Sequence, residues 1–325
     1  MLPDGFRFRL FTPEDVEAAA HLIHLSALKD QEQRVLTRDI LNSRFADGEV
    51  NPEKDLWVVE DEGGALAAYG EGIWRGEGRV RVYQTRSFVH PDQRNRGIGR
   101  ALVANQWRLV EETARRYPGG AIRFRLGTRL LETNLAARAV VEASGMKIAR
   151  RFIVMNRDLP GKGIPEGQVA DAFRIVPWVE QREDEAVWNA YNDAFSEHWG
   201  FEKESFEKFR KKVEAGLFDP RFSFILFKGD EVVGASLNDM GEGAIEKQGR
   251  NQAWVQIIFV RKEWRRRGLA RALLVRTMEK AMEMGHSALG LNVDATNESG
   301  AVRVYESVGF YAEAGYLIYY RDFLP

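Results

Sequence analysis

Val260-Arg261-Lys262-Glu263-Trp264-Arg265-Arg266-Arg267-Gly268-Leu269-Ala270-Arg271-Ala272-Leu273-Leu274 joins two kinds of periodicity. The apolar run Trp254 to Val260 before it reads as a strand. Leu269, Leu273, Met278, Ala281 and Met282 after it recur at the spacing of an amphipathic helix. Gly268 in the turn allows close approach of a ligand to the backbone. The first N–H groups of the helix lack partners of their own, and the helix dipole there favours an anion. Arginines on both sides add charge and forked donors suited to phosphate. The stretch is a pyrophosphate cradle built mostly from main chain.

Val89-His90-Pro91-Asp92-Gln93-Arg94-Asn95-Arg96-Gly97-Ile98-Gly99-Arg100-Ala101-Leu102 repeats it. Arg94, Arg96, Gly97 and Arg100 match Arg265, Arg267, Gly268 and Arg271, each 171 positions on. A single Arg-x-Arg-Gly is ordinarily a solvated turn, but two copies, each ending a strand and opening a helix, point to one shared use.

This pattern resembles the acyl-CoA signature of the GNAT superfamily of N-acyltransferases. Tyr305-Glu306-Ser307-Val308-Gly309-Phe310, with Asn297 before it, is similar to that superfamily's C-terminal motif. The tandem layout, with Ala194-Phe195-Ser196-Glu197-His198-Trp199-Gly200, is most similar to the mycothiol synthase group. The resemblance implies an α/β fold of two GNAT-like domains, each a mixed, mostly antiparallel sheet with helices on both faces and splayed parallel central strands. It also implies acetyl-CoA (coenzyme A) as cofactor. In the second half it would lie against Ile258, Phe259, Val260, Arg265, Arg266, Arg267, Gly268, Leu269, Ala270, Arg271 and Asn297. In the first half the matching positions are Phe88, Val89, Arg94, Asn95, Arg96, Gly97, Ile98, Gly99 and Arg100. The free backbone of Ile257 to Val260 is expected to pair with pantetheine amides as an added strand would.

The rest of the chain fits two such domains. Its 325 residues exceed a typical single domain, and 44% hydrophobic residues suffice for two cores. The formal net charge of -1 leaves no global field to draw in nucleic acid or a membrane surface. Without cysteine there is no disulfide, thiolate metal site or acyl-cysteine intermediate. No metal is expected. No stretch reads as a signal or membrane span, so the expectation is a cytoplasmic protein, monomer or homodimer, acting on a small-molecule amine.

Phe6 to Leu10 opens the first half as a strand, and Thr12-Pro13 starts a helical region reaching about Ala46. A hairpin turns at Asp61-Glu62-Gly63-Gly64, and Arg79 to Val89 leads into the cradle. Ala121 to Leu126, a helix from Asn134 to Ser144 and a last strand at Arg151 to Met155 follow. The second half repeats this order from Phe173, ending on Tyr316 to Tyr320. Pro160, Gly161, Gly163, Pro165 and Gly167 mark a linker, giving domains 1–158 and 172–325 about residues 159–171.

Acyl transfer to an amine needs a neutral nitrogen, donors for an oxyanion and a proton for the leaving thiolate. Tyr305, four residues before Gly309, stands where the superfamily's acid tyrosine does; its alternative is an aromatic on the apolar face of a helix. Asn297 has the alternative of a helix N-cap. The base stays open among Glu246, Asp239, Asp294, His198 and a water chain, because Trp254 stands where the resemblance calls for a glutamate. In the first half Val141 stands where the tyrosine would be, so that half is expected to be non-catalytic, keeping a cofactor site or acting as scaffold. Glu142 in a shifted register is the alternative. An acyl-CoA sensor or pseudo-enzyme regulating a partner is the competing reading of the whole chain.

Overall fold

The computed structural model describes residues 2–32, 36–46, 50–76, 79–117, 122–159, 163–167, 169–196, 198, 201, 203–240, 251–296 and 300–323. They form two compact units. One gathers the described residues up to Phe152 together with those from Gly315 onward, and the other those from Ile153 to Ala314.

The first unit begins with β1 (Phe6–Leu10), α1 (Val16–Asp30), α2 (Arg38–Ala46) and α3 (Pro52–Asp55). Thr12 opens the turn into α1, with its N–H bonded to the Asp15 carboxylate at 2.8 Å. β2 (Leu56–Asp61), β3 (Leu66–Arg75) and β4 (Val80–Val89) are antiparallel neighbours. α4 (Ile98–Ala114) then crosses over to β5 (Arg123–Leu131), which runs parallel to β4. α5 (Leu135–Ala143) and β6 (Lys147–Asp158) complete the first half of the sequence.

The second half repeats the order with β7 (Phe173–Pro177), α6 (Asp184–Phe195), α7 (Phe206–Glu214), β8 (Phe224–Lys228), β9 (Glu231–Asp239) and β10 (Gln252–Val260). α8 (Leu269–Glu283), β11 (Ala288–Asp294), α9 (Ala301–Ser307) and β12 (Tyr311–Phe323) follow. β11 is parallel to β10.

The last strand of each half does not stay with its own half. β12 lies beside β5 in the first unit, with Tyr316 opposite Leu131 through to Phe323 opposite Phe124. β6 lies beside β11 in the second unit. Leu317 and Tyr319 are consequently buried in the first unit's core with Phe124 and Leu126. Met155 is buried in the second unit's core with Leu289 and Leu291. This differs from the contiguous boundaries that the sequence suggests. The two strands carry the same Arg-Asp pair near their ends, Arg157-Asp158 and Arg321-Asp322, and it is long-range pairing that assigns each to its unit. Arg157 lies against Gly309, where an added Cβ would stand 3.0 Å from the guanidinium, and Arg321 lies beside Gly145 at 3.6 Å.

The glycine-rich connection also belongs to the second unit. Leu159 is buried with its N–H bonded to the Ser287 carbonyl at 2.7 Å. Gly167 sits so near Val275 of α8 that a Cβ would fall 2.6 Å from it.

Candidate active site

Each central pair of parallel strands opens before its strands end. β10 pairs with β11 from Gln252 opposite Ala288 only to Val255 opposite Leu291, although β10 continues to Val260. β4 pairs with β5 up to Thr85 opposite Thr128 and continues to Val89. Beyond those points one edge of each of β10 and β4 has no ladder partner among the described residues, as an added pantetheine strand requires.

The turns that follow are alike residue by residue. Asn95 and Arg266 both adopt left-handed backbone, at φ 64° and 63°. Gly97 and Gly268 follow two positions later at φ 90° and 75°, as N-caps of α4 and α8. Positive φ is strained for a side chain, which accounts for the glycines. Neither helix start carries a side-chain cap. The amides at Ile98, Gly99 and Arg100, and at Leu269, Ala270 and Arg271, thus occupy the uncapped first turns. Arg96, Arg100, Arg266, Arg267 and Arg271 are exposed, and none forms an ion pair among the described residues. A Cβ at Gly268 would meet nothing within 4 Å, so the turn faces open space. Uncapped amides, unneutralised guanidiniums and an open left-handed turn fit a diphosphate.

The leading arginine of each turn has a different task. Arg94 donates from Nε to the Val89 carbonyl at 3.3 Å and from its two Nη atoms to Asp30 and Ser26. Arg265 donates from Nε to the Val260 carbonyl at 3.0 Å and from Nη2 to the Ala194 carbonyl at 3.1 Å. Each ties its strand end to the C-terminal part of the first long helix of its half, α1 or α6. They shape the cradle while their guanidiniums are occupied by the chain.

Around the acyl position the two units part. Tyr305 is 9% exposed, packed with Val255, Leu291, Val293 and Phe310. Burial pushes its phenol up to about 12. Its carbonyl accepts from the Phe310 N–H at 3.1 Å as the helix closes on Gly309. In the first unit the Val141 carbonyl accepts from the Met146 N–H at 3.1 Å in the same closure on Gly145. Val141 therefore fills Tyr305's place with a side chain that has no proton to give. Glu142 is engaged elsewhere: it accepts from the Tyr319 hydroxyl at 2.6 Å and lies 3.7 Å from Arg138.

The strands differ as well. β10 carries a β-bulge against β9 between Val255 and Ile257, placing Gln256 as the extra residue just where β11 drops away. β4 runs regularly along β3 through the matching stretch. There Thr85 Oγ1 donates to the Gly127 carbonyl and Thr128 Oγ1 to the Thr85 carbonyl, both at 3.1 Å. These reciprocal bonds hold the first unit's strands together at the point where the second unit's strands part.

Of the candidate bases, Asp294 accepts from the Thr296 N–H at 2.9 Å and from its hydroxyl at 2.6 Å, closing a turn after β11. The His198 ring lies 4.4 Å from that of Phe195 at the end of α6. Asp239 ends β9 opposite Trp254, and its Oδ2 accepts from Gln256 Nε2. Glu246 and Asn297 lie outside the described residues. Asn134, the first-half counterpart of Asn297, is an N-cap accepting from the Ala137 N–H at 3.0 Å, and it also donates to Asp30. Sequence reasoning missed Gln256, since a bulge is a property of two strands in register and leaves no local signal in one.

Comparison with known proteins agrees with this geometry. Residues 184–310 match the model of the acetyltransferase (GNAT) family, and residues 52–156 that of an acetyltransferase (GNAT) domain. A mycothiol acetyltransferase of Streptomyces scabiei is 30% identical over 323 residues, 95% of this chain and 93% of the relative. The chain belongs to the GNAT acetyltransferase family. It is an acetyl-CoA-dependent N-acetyltransferase with two GNAT domains in tandem. A second mycothiol acetyltransferase, of Kineococcus radiotolerans, is 28% identical over 92% of this chain and 90% of its own length. Among solved structures, a GCN5-related N-acetyltransferase from Sphaerobacter thermophilus superposes with a TM-score of 0.79 at 22% identity, covering 100% of this chain and 98% of that one. A tandem GNAT protein from the clavulanic acid pathway gives 0.73 at 17% identity, covering 98% and 99%. These two likenesses concern the fold. No helix among the described residues is long and apolar enough to cross a membrane.

Proposed function

We propose that acetyl transfer takes place in the second unit, onto the primary amine of a small molecule, and that the first unit keeps a cofactor cradle without the chemistry. The carrying observation is that Tyr305 packs in the core with Val255 and Leu291, the last paired residues before the bulge at Gln256, whereas the first unit has regular pairing and Val141. Bound acetyl-CoA supplies an activated acyl carbon and a thiolate leaving group. The second cradle, through the amides of Leu269, Ala270 and Arg271 with Arg266 and Arg267, would hold its diphosphate. The edge of β10 beyond Val255 supplies main-chain donors for the developing oxyanion. Tyr305 Oη holds its proton throughout the neutral range, because burial raises the phenol to about 12, and gives it to the departing sulfur. With no cysteine in the chain, the acceptor nitrogen attacks directly.

The named relatives are mycothiol acetyltransferases, which supports an acceptor of that kind, a polar small molecule with one reactive amine. The test is CoA release with wild-type protein and a panel of amino acids, aminosugars and cysteinyl amines including mycothiol precursors. Turnover of at least one amine, lost in Tyr305→Phe while acetyl-CoA still binds, is the expected result. Turnover that survives Tyr305→Phe but not disruption of the first cradle would transfer the chemistry to the other unit.

A further inference from the structure

The two parted strands of the first unit are tied to each other at their ends. Arg94 Nε donates to the Val89 carbonyl, where β4 stops. Its Nη1 and Nη2 donate to the two oxygens of Asp30, the last residue of α1, at 2.6 and 3.0 Å. Asp30 Oδ2 accepts in addition from Asn134 Nδ2 at 3.0 Å. The Asn134 N–H in turn donates to the Leu131 carbonyl, where β5 stops, at 3.1 Å. At the other end of the same gap the Thr85 and Thr128 hydroxyls bond across from strand to strand. The slot between β4 and β5 is therefore enclosed by a ring, with the threonines at its base and Arg94, Asp30 and Asn134 across its mouth.

α1 and α4 cover opposite faces of this sheet, Phe88 packing with α1 and Tyr83 with α4. The cradle opens α4, so Asp30 spans the slot on the face away from it. The carboxylate is a feature of this unit, since Arg265, the counterpart of Arg94, ends on the Ala194 carbonyl. The Asp30 side chain is 16% exposed, which shelters its bonds from water. Glu32, just past α1, accepts from Tyr316 Oη at 2.6 Å, and Tyr316 lies opposite Leu131 on β5. That second tie holds the end of α1 over β5 while the bond to Asn134 opens and closes. We propose that Asp30 is a latch across the cofactor slot of the first unit. A pantetheine arm enters or leaves the slot while the Asp30–Asn134 bond is open, so cofactor in the first cradle exchanges slowly and stays in place through turnover in the second unit. This rests on the first cradle being a cofactor site. The latch acts on rate, because a bond that re-forms over the empty and the filled slot alike slows entry and exit equally.

The experiment loads the full chain with radiolabelled acetyl-CoA, chases with a large excess of unlabelled acetyl-CoA and follows release by rapid filtration. Wild type should release label in a fast phase and a slow phase, the slow one reduced in Gly97→Ala. Asn134→Asp and Asn134→Ser both keep an oxygen that caps α5 at the Ala137 N–H. The first has no N–H to give Asp30, and the serine hydroxyl is too short to reach it. Each should quicken the slow phase about tenfold or more, the weight of one hydrogen bond to a charged group, and leave the fast phase as it was. The unfolding transition of the first unit should stay in place. A slow phase unchanged in both variants, or two equivalents leaving wild type in one fast phase, would overturn the latch. Quickened release that comes with a lowered unfolding transition in both variants would overturn it too, as loosening of the fold. One equivalent bound by wild type and two by the variants supports the latch as a bar to entry. One equivalent bound by wild type and both variants, untouched by Gly97→Ala, instead defeats the cofactor reading of the first cradle, and the latch falls with it.

Discussion

Val141 holds in the first unit the position that Tyr305 holds in the second: each offers its carbonyl, at 3.1 Å, to the N–H of the residue after a left-handed glycine. The backbone is shared and the chemistry is not. Tyr305→Phe should lower kcat by about 10²-fold, the lower end for removal of a general acid, and leave the acetyl-CoA dissociation constant within about twofold. Val141→Tyr should confer no activity on the first unit, because the Thr85–Thr128 bonds still hold its strands together there. Steady-state kinetics and calorimetry on the two variants decide both.

The same phenol predicts a pH dependence. Burial raises Tyr305 from 10 to about 12, so the native state keeps the proton more tightly than the unfolded chain. Its contribution to stability is complete below pH 10 and is lost as pH rises toward 12. Urea unfolding at stepped pH should show an alkaline decline that is shallower in Tyr305→Phe.

Gly268 and Gly97 separate the two cradles. Both need positive φ, where an alanine costs about 1–2 kcal/mol of backbone strain, and at Gly268 no neighbour would clash. Gly268→Ala should weaken acetyl-CoA binding and lower kcat/KM by roughly tenfold, matching that strain. Gly97→Ala should leave turnover within about twofold and, if the first cradle binds cofactor, reduce only the calorimetric stoichiometry.

The cradles were legible in the sequence because everything that makes them is local: two left-handed positions, two arginines and an uncapped helix start within a few residues. The place of Tyr305 at the close of its helix was legible for a similar reason, as its distance to Gly309 is set by one helical turn. The bulge was not, since Gln256 is extra only relative to Leu237 and Asn238 across the ladder. Nor was the exchange of β6 and β12, because pairing between strands far apart in sequence leaves no local signal in either one.

That exchange predicts how the chain fails when cut. Removing residues 315–325 takes Leu317 and Tyr319, both buried, out of the first unit's core and strips β5 of a ladder neighbour. The truncated chain should lose the first unit's unfolding transition and keep that of the second. Tyr319→Ala is the milder form, costing about 3–5 kcal/mol as for other large aromatics. Residues 159–325 expressed alone lack β6 and should not fold. Differential scanning calorimetry with limited proteolysis tests all three, and an isolated second half that melts cooperatively would refute the structural role given to β6.

Acid should open the first unit at its edge strand. Glu60 accepts from Arg9 Nε and from Arg7 Nε, the latter at 2.9 Å, across the β1–β2 ladder. Those bonds, Arg9's first, hold its carboxyl below the usual 4.5. A folded pKa below the unfolded one means stability that is present above pH 4.5 and is lost as pH falls through the lowered value. Arg7 is 76% exposed, so the pair is well screened, and Glu60→Gln should cost only about 1 kcal/mol at neutral pH. The informative readout is the slope: between pH 5 and pH 3 the variant's stability should fall less steeply than wild type, and identical slopes would show that the Arg9–Glu60 contact does not persist in solution.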